Sequence, residues 1–330
     1  MITVGIIANP AAGKDIRRLV AHGRVVSNQE KANTLRRVFA GLVAAGVERI
    51  LVMPDMSGLA RPAVNDCEGQ AVVEYVDMHA SEMQNDSTRA ARAMNEAGTG
   101  CIVTLGGDGT NRVVAKGCGE TPIVPISTGT NNVFPQMAEG TLAGLAAGAV
   151  ATGLVTREQA CRRSKRLDIH VDDEVADIAL VDAAVSRQMF VGARAIWEPE
   201  SLDAMFLTRA EPASIGLSSI GARVRRVEID EPIGLYIRLS GEPGSNACTV
   251  QAPVAPGMVS NVKIAEWAVM EPGQRLPVTL RPGTVALDGE REVELLPGRK
   301  VEVSLSMDGP WVVDVDRTHV LMAEASSASR

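Results

Sequence analysis

The sequence has 330 residues, 45% of them hydrophobic and 22% charged, which at about 150 residues per domain predicts two globular domains rather than a disordered chain. Acidic residues outnumber basic residues by 40 to 33, and this balance argues against nucleic acids and anionic membranes as partners. The five cysteines and four histidines are scattered, which excludes a zinc site of local spacing and disfavours a disulfide framework. Because no signal peptide or membrane-spanning stretch can be recognised, we expect a cytoplasmic protein without stable membrane anchoring.

The first half of the chain alternates strand-like and helix-like segments. Thr3–Ala8 is an apolar strand-like run, and the capping-box pair Ser27 and Glu30 begins a helix that ends at Gly46. Residues 54–70 are expected to form a long loop. Further strands are predicted at 50–53, 71–76, 101–105 and 123–126, and further helices at 86–95 (capped by Asp86 or Ser87), from 111 and at 142–150. This alternation predicts a doubly wound parallel sheet, which binds ligands at the carboxyl ends of its strands.

From about residue 159 the pattern changes to a period of two. Apolar and polar residues alternate over 233–239 and 301–307, as in a mostly antiparallel β domain. The basic run 162–166 is interpreted as a solvated approach to that domain, with polyphosphate steering as the alternative. The predicted division is an α/β nucleotide-binding domain over 1–158, a β-rich acceptor-binding domain over 159–310, and a frayed tail over 324–330.

The strongest chemical signal is the motif Gly106-Gly107-Asp108-Gly109-Thr110, between a predicted strand and a predicted helix. Glycines allow backbone N–H groups to approach phosphate oxygens closely, and a helix N-terminus favours anions. A carboxylate among such groups indicates that Asp108 is a general base or a Mg²⁺ ligand for phosphoryl transfer; a tight turn with an Asp helix cap is the alternative. The sequence contains neither a Walker-type loop nor a Gly-x-Gly-x-x-Gly after the first strand, which disfavours common NTPases and dinucleotide dehydrogenases.

Two further loops follow predicted strands and are expected at the same edge of the sheet. In the first loop, Asn9 offers an amide, Gly13 allows close approach and Lys14 supplies a mobile positive charge. The second loop offers hydroxyl, amide and backbone groups as nucleotide contacts from Thr128, Gly129, Thr130, Asn131 and Asn132. An ordinary Asn-Pro turn and a polar connecting loop are the alternative interpretations.

These three loops resemble the superfamily that joins NAD kinases to diacylglycerol and sphingosine kinases. The resemblance extends to Leu287-Asp288-Gly289-Glu290, which is similar to the Asp-Gly-Glu turn in the C-terminal β domain of that superfamily; an ordinary Asp-Gly hairpin is the alternative. Over nearly the whole chain the sequence resembles the acetoin-catabolism protein X family, an ATP-NAD kinase-like family, through the runs 6–10, 127–134 and 191–195.

The resemblance implies an NAD kinase-like enzyme that uses ATP and Mg²⁺ to phosphorylate a hydroxyl group in the cleft between its domains. NAD, at its 2′-hydroxyl, is the leading acceptor, which links the chain to NADP biosynthesis and acetoin catabolism. The implied catalytic residues are Asp108 and Glu290, and the implied Mg²⁺ ligands are Asp108 and Asp288. Phosphate contacts are implied for Gly106, Gly107, Gly109 and Thr110. The resemblance also implies that 311–323 returns to the first domain and that the protein is a homo-oligomer.

Departures from the superfamily leave the acceptor open. Two NAD kinase motifs, Asn-Glu and Thr-Pro-Thr-Gly-Ser-Thr-Ala-Tyr, are poorly matched at 180–184 and 214–219. Lipid kinases carry Asn-Glu after their glycine motif, where this chain has Asn111 and Arg112, and Asp where it has Val133. The acceptor alternatives are a polyol or diol metabolite and a membrane lipid, and the donor is ATP or polyphosphate. A nucleotide-sensing regulator without catalysis is the non-enzymatic alternative.

Overall fold

The computed structural model describes residues 1–12, 26–129, 131–188 and 201–328. The strands are β1 Thr3–Ala8, β2 Arg49–Val52, β3 Val72–Tyr75, β4 Cys101–Gly106, β5 Ile123–Ser127, β6 Cys161–Arg163, β7 Arg166–Val171, β8 Glu174–Ala179, β9 Asp182–Ser186, β10 Leu202–Leu207, β11 Gly234–Arg238, β12 Cys248–Ala255, β13 Met258–Ile264, β14 Glu266–Met270, β15 Arg275–Pro277, β16 Gly283–Leu287, β17 Glu290–Leu295, β18 Val301–Ser306 and β19 Trp311–Val313. The helices are α1 Asn28–Ala44, α2 Arg61–Asp66, α3 Asn85–Glu96, α4 Asp108–Ala115, α5 Gly140–Ala151, α6 Arg157–Ala160, α7 Leu217–Gly221 and α8 Val315–Ala328.

The N-terminal part is built on a seven-stranded sheet with the order β3-β2-β1-β4-β5-β19-β6. The strands from β3 to β19 pair in parallel, and β6 is antiparallel to β19. Every residue of the central strands β1, β4 and β5 is buried, as expected for a sheet covered on both faces. Gly106 pairs with Ser127, so the loops that follow β4 and β5 begin side by side.

Helices cover both faces of this sheet. On one face, α1 and α5 pack against alternate strand residues through a cluster that includes Leu35, Phe39 and Ala147. On the opposite face, α3 and α4 form a second cluster that includes Met94 and Val114. This arrangement confirms the predicted doubly wound α/β fold.

The C-terminal part is antiparallel, as predicted. A six-stranded sheet has the order β14-β11-β10-β9-β16-β17, a four-stranded sheet has the order β15-β18-β7-β8, and β12 and β13 form a separate ribbon. One apolar cluster joins the two larger sheets and includes Ile169, Phe206 and Val303. The chain then returns to the N-terminal sheet, where β19 pairs with β5 and β6.

Helix boundaries depart from the sequence predictions at several places, and α4 begins at Asp108, three residues before its predicted start. Within the predicted loop 54–70, α2 forms with Pro62 in its first turn; its six residues are too few to give a recognisable period. Asp86 does not mark the start of α3, because the helix begins at Asn85 and the Asp86 carboxylate accepts hydrogen bonds from Ser81. Helix α8 extends to Ala328, into the segment predicted to fray, and the Asp314 carboxylate accepts a hydrogen bond from the Arg317 N–H at its start.

The basic run 162–166 is also not the solvated segment that its charge predicts. Lys165 has no solvent exposure, and its ammonium donates to the carbonyl oxygens of Glu228, Glu231 and Ile233 at 2.7–2.9 Å. The three carbonyl groups replace the water molecules that would otherwise hydrate the ammonium. Lys165 therefore bonds the segment before β7 to residues 228–233. Within the described ranges, no helix has the length and apolar character needed to cross a membrane.

Candidate functional site

Three loops meet at the carboxyl edge of the parallel sheet. The N–H of Asn9, after β1, donates to the Leu105 carbonyl at 3.1 Å, and the N–H of Thr128, after β5, donates to the Gly106 carbonyl at 3.2 Å. The Asn9 side-chain amide also donates to the Thr110 hydroxyl at 3.1 Å. The loops that follow β1 and β5 are therefore both bonded to the segment 105–110, which runs from the end of β4 into α4.

Glycine is required in this segment because neighbouring side chains occupy the space of a Cβ atom. A Cβ on Gly106 would lie 2.5 Å from the Thr110 Cβ, and one on Gly107 would lie 2.9 Å from the Asn132 Oδ1. The Asn132 amide donates to the Ser127 hydroxyl at 2.8 Å. The glycines thus allow polar side chains of two loops to pack directly on the backbone.

Asp108, the first residue of α4, joins the glycine loop to the loop after β5. Its carboxylate accepts hydrogen bonds from the backbone N–H of Val133 at 3.1 Å and from that of Phe134 at 2.8 Å. The side chain is only partly buried. Asp108 therefore has a fixed position at the sheet edge, which a group that takes a proton from a bound ligand requires.

Glu290, from the β domain, lies against the glycine loop. A Cβ on Gly109 would lie 3.0 Å from the Glu290 Oε1. The Gln84 side-chain amide donates to the Glu290 carboxylate, and the Glu290 side chain is 28% exposed. Glu290, one of the two sequence-predicted catalytic carboxylates, therefore lies against the residue that directly follows the other one, Asp108.

Asp288 has a different environment from Glu290, although the two residues share one turn. It is buried, and its carboxylate accepts hydrogen bonds from the N–H groups of Leu180, Val181 and Asp182 at 2.8–3.1 Å. Burial raises the pKa of Asp288, and these hydrogen bonds and Arg112 oppose the rise. As a Mg²⁺ ligand, Asp288 would have to give up amide contacts that hold the 180–182 segment.

Two buried arginines contact residues across the boundary between the N-terminal and C-terminal parts, one arginine from each part. Arg112 of α4 has no solvent exposure and bonds the carboxylate of Asp177 in the β domain at 3.2 Å. Arg209, which follows β10, is 3% exposed, and its guanidinium carbon lies 5.4 Å from the centre of the Phe134 ring. Asp108 and Asp288 are among the charges that attract Arg209. The cations therefore link the two parts of the chain where the catalytic candidates lie.

Lys31 of α1 binds the backbone of the Asn9 loop, which comprises residues 9–12 after β1. It has no solvent exposure, and its ammonium donates to the carbonyl oxygens of Asn9, Pro10 and Ala12 at 3.2, 2.8 and 2.7 Å. A buried cation that binds three carbonyl groups within four residues fixes the path of the loop. It also adds positive charge close to the predicted phosphate site.

Comparison with known proteins identifies the family. The acetoin catabolism protein X of Cupriavidus necator is 44% identical to this chain over 314 residues, which cover 92% of the chain and 87% of the relative.

The chain belongs to the acetoin catabolism protein X family.

Two family models divide this acetoin catabolism protein X homologue in the same way as its fold. Residues 4–155 match the ATP-NAD kinase N-terminal domain, and residues 165–308 match the acetoin catabolism protein X C-terminal domain. A solved structure described as a candidate diacylglycerol kinase, from Bacillus anthracis str. Sterne, is 13% identical with a TM-score of 0.44, covering 94% of this chain and 97% of that one.

Three sequence-predicted contacts of this family member lie outside the described residues: Gly13, Lys14 and Thr130. The run 191–195, which carries part of the family resemblance, also lies outside them. The remaining predicted contacts, Thr128, Gly129 and Asn131, belong to the loop after β5. Thr128 is 1% exposed, and the Gly129 carbonyl accepts a hydrogen bond from the Ser127 hydroxyl at 2.8 Å.

Sequence reasoning missed the cations of the site. For Lys31 a signal was present, because it shares a helix face with Leu35, Val38 and Leu42, which are buried. Arg112 and Arg209 gave no such signal, since Asp177 lies 65 residues from Arg112, and Asp108 and Asp288 come from segments distant from Arg209. Only the packing of the two domains brings those charges together.

Proposed function

We propose that this chain is an ATP-dependent phosphotransferase that transfers the γ-phosphate to a hydroxyl group of a small molecule. The observation that carries the proposal is the fixed position of Asp108 at the carboxyl edge of a parallel sheet, with Glu290 of the β domain against the adjacent Gly109. The match of residues 4–155 to the ATP-NAD kinase N-terminal domain supports it. The phosphates of ATP would lie along the Gly106–Thr110 loop and the N-terminus of α4, where N–H groups favour anions.

In the proposed reaction, the acceptor hydroxyl oxygen forms a bond to the γ-phosphorus. The bond between that phosphorus and the β–γ bridging oxygen breaks, and ADP leaves with the bond's electron pair. Asp108 takes the hydroxyl proton. Because such a transfer depends mainly on positioning and charge, the hydrogen bonds from Val133 and Phe134 contribute by fixing this carboxylate.

The carboxylates of Asp108 and Glu290 are oxygen donors of the kind that Mg²⁺ prefers. In the part of the chain that the structure describes, His, Cys, Asp and Glu side chains form no metal-binding group of three. Mg²⁺ held by one or two carboxylates and by substrate phosphates does not need such a group. Asp108 and Glu290 would hold the ion, which when bound would neutralise charge on the phosphates. Asp288 would instead fix the 180–182 segment through its amide contacts.

NAD, at its 2′-hydroxyl, is the acceptor that we propose first, and its basis is the resemblance of the glycine motif and of the N-terminal domain to NAD kinases. A diol or polyol metabolite is the alternative, because the segments 180–184 and 214–219 depart from the NAD kinase motifs. In this chain the start of the first segment is bound to Asp288 through the N–H groups of Leu180 and Val181.

The test is transfer of a labelled γ-phosphate from ATP with Mg²⁺ to NAD, NADH, short-chain diols, and diacylglycerol in phosphatidylcholine vesicles. We expect label on a soluble acceptor, with NADP as the product from NAD. Label on lipid alone would replace this proposal with a lipid kinase. A parallel assay with labelled polyphosphate in place of ATP identifies the phosphoryl donor. A chain that labels no acceptor under any of these conditions would overturn the phosphotransferase.

A nucleotide-sensing regulator without catalysis is the second candidate. The observation that favours it is that protein groups already bind both catalytic candidates. Two N–H groups bind Asp108, and Gln84 and Arg112 contact Glu290. Calorimetry would distinguish the candidates, since a regulator binds ATP or NAD and leaves ATP unconsumed across the acceptor panel.

A further inference from the structure

Arg112 lies at the centre of a group of charges that joins the glycine motif to the β domain. Its Nη1 bonds both oxygens of Asp177 at 3.2 Å, and its Nη2 lies 3.7 Å from the Oε2 of Glu290. The Lys116 ammonium lies 2.5 Å from the Oδ1 of Asp177. Arg112 of α4 and Lys116, which directly follows α4, are therefore paired with two carboxylates, one on β8 and one at the start of β17.

Because Arg112 is buried, its ion pairs matter for the stability of the domain contact. The Arg112 side chain has no solvent exposure, and a buried guanidinium is stable only where carboxylates compensate its charge. Asp177 is 12% exposed and meets this need from one side. Glu290 meets it from the other, which draws its carboxylate toward α4 and against Gly109.

We propose that Arg112 is a positioning residue that holds Glu290 over the glycine loop and keeps the β domain closed on α4. This inference rests on the proposed phosphotransferase for its catalytic consequence, and the closure stands independently of catalysis. Arg112 acts through Glu290, because the Glu290 carboxylate and not the guanidinium lies against Gly109.

The catalytic test is a double-mutant cycle with R112Q and E290Q. We expect R112Q to lower kcat by about 10- to 100-fold, the range typical of residues that orient functional ligands, with little change in the KM for ATP. In the E290Q background the same change should alter kcat by less than about 2-fold, because the group that Arg112 positions is already neutralised. Equal effects in both backgrounds would overturn the inference.

Conservative variants separate positioning from a general loss of structure. R112K keeps one positive charge but cannot bond both carboxylates, so it should restore part of the lost kcat. D177N removes a carboxylate partner of Arg112 without touching Glu290, and it should lower kcat less than R112Q does. A kcat of R112K no higher than that of R112Q would contradict the assignment.

Amide hydrogen exchange tests the closure without any activity. In R112Q, peptides that cover 106–110 and 287–290 should exchange about 10-fold faster, while the core of α1 over 35–42 keeps its protection. The matched control is R49Q, which breaks an ion pair between β2 and β3 and should leave both peptides unchanged. If the wild-type chain transfers no phosphate but R112Q exchanges faster, the phosphotransferase fails and the closure stands. Unchanged exchange in R112Q would overturn the closure.

Discussion

The backbone N–H of Phe134 donates a 2.8 Å hydrogen bond to the Asp108 carboxylate, across the gap between two loops of the parallel sheet. The N–H of Val133 donates to the same carboxylate. The loop after β5 therefore fixes the residue that the sequence marks as the base. In return, Asp108 fixes that loop, so the residue has a structural role as well as a chemical one.

Replacement of Asp108 by Asn should affect both roles. An amide cannot take a proton from the acceptor, so kcat should fall by about 10²- to 10⁴-fold. Asn also replaces a charged acceptor by a neutral one, and the weaker hydrogen bonds from Val133 and Phe134 should cost about 1 kcal/mol of unfolding free energy. Steady-state kinetics, chemical denaturation and calorimetric ATP binding measure the three quantities, and ATP affinity should change little.

The matched control for this variant is D66N, which removes an exposed carboxylate paired with Arg36. It should leave kcat unchanged and alter stability by no more than about 1 kcal/mol. Phosphorylation by D108N at the wild-type rate would remove Asp108 from the role of base.

Lys31 gives a second prediction, because one ammonium serves three carbonyl groups of the Asn9 loop. K31M leaves those carbonyls without their donor and should lower the unfolding free energy by about 2–4 kcal/mol. Because the Asn9 loop is no longer held in place in K31M, the variant should raise the KM for ATP more than it lowers kcat. Exposed Lys263 provides the control, and K263M should change neither quantity. A wild-type KM for ATP in K31M would show that the loop does not contact the nucleotide.

The parallel sheet and its motifs could be predicted because their signals are local. Thr3–Ala8 is buried throughout, and the Ser27 hydroxyl accepts a hydrogen bond from the Glu30 N–H as the capping pattern predicts. The family and the fold class, read from loops that follow strands, are confirmed.

The features that sequence reasoning missed depend on contacts between distant segments. Lys165 lies in a basic run that is typical of a surface, yet carbonyls more than 60 residues away enclose it. Asp288 and Glu290 are two residues apart, but one binds buried amides and the other lies against Gly109. Local composition carries no information on which buried partner a charged side chain meets.

Lys165 also gives a pH prediction. Burial lowers its pKa from 10.5 to about 8 in the folded protein. Between pH 8 and pH 10.5, the unfolded chain therefore keeps a proton on Lys165 that the folded chain has released. Because the unfolded state binds more protons in this range, the contribution of Lys165 to the unfolding free energy increases as pH rises. Below pH 8 both states are protonated and the contribution is constant.

Denaturation of the wild type and of K165M across pH 7–11 isolates this contribution, because the other titrating groups are common to both chains. The difference in unfolding free energy should rise with pH by up to about 1.4 kcal/mol per unit near pH 9. A difference that stays flat over this range would show that the folded protein keeps Lys165 protonated.

Arg209 gives the last prediction, which links its burial to the pH dependence of the reaction. The guanidinium packs on the Phe134 ring, and Phe134 donates to Asp108. Asp108 is among the carboxylates that attract this cation, and the same attraction favours the ionised form of the proposed base. In R209M, the acid limb of the kcat profile should therefore move to higher pH.

The charge-preserving variant R209K should keep the acid limb within a few tenths of its wild-type position, even where its packing on Phe134 is poorer. R36M, which removes an exposed arginine paired with Asp66, should leave the whole profile in place. A pure packing role for Arg209 would instead lower kcat equally at every pH in R209M and R209K. An unmoved acid limb in R209M, with kcat reduced, would therefore exclude the electrostatic role and leave only the packing on Phe134.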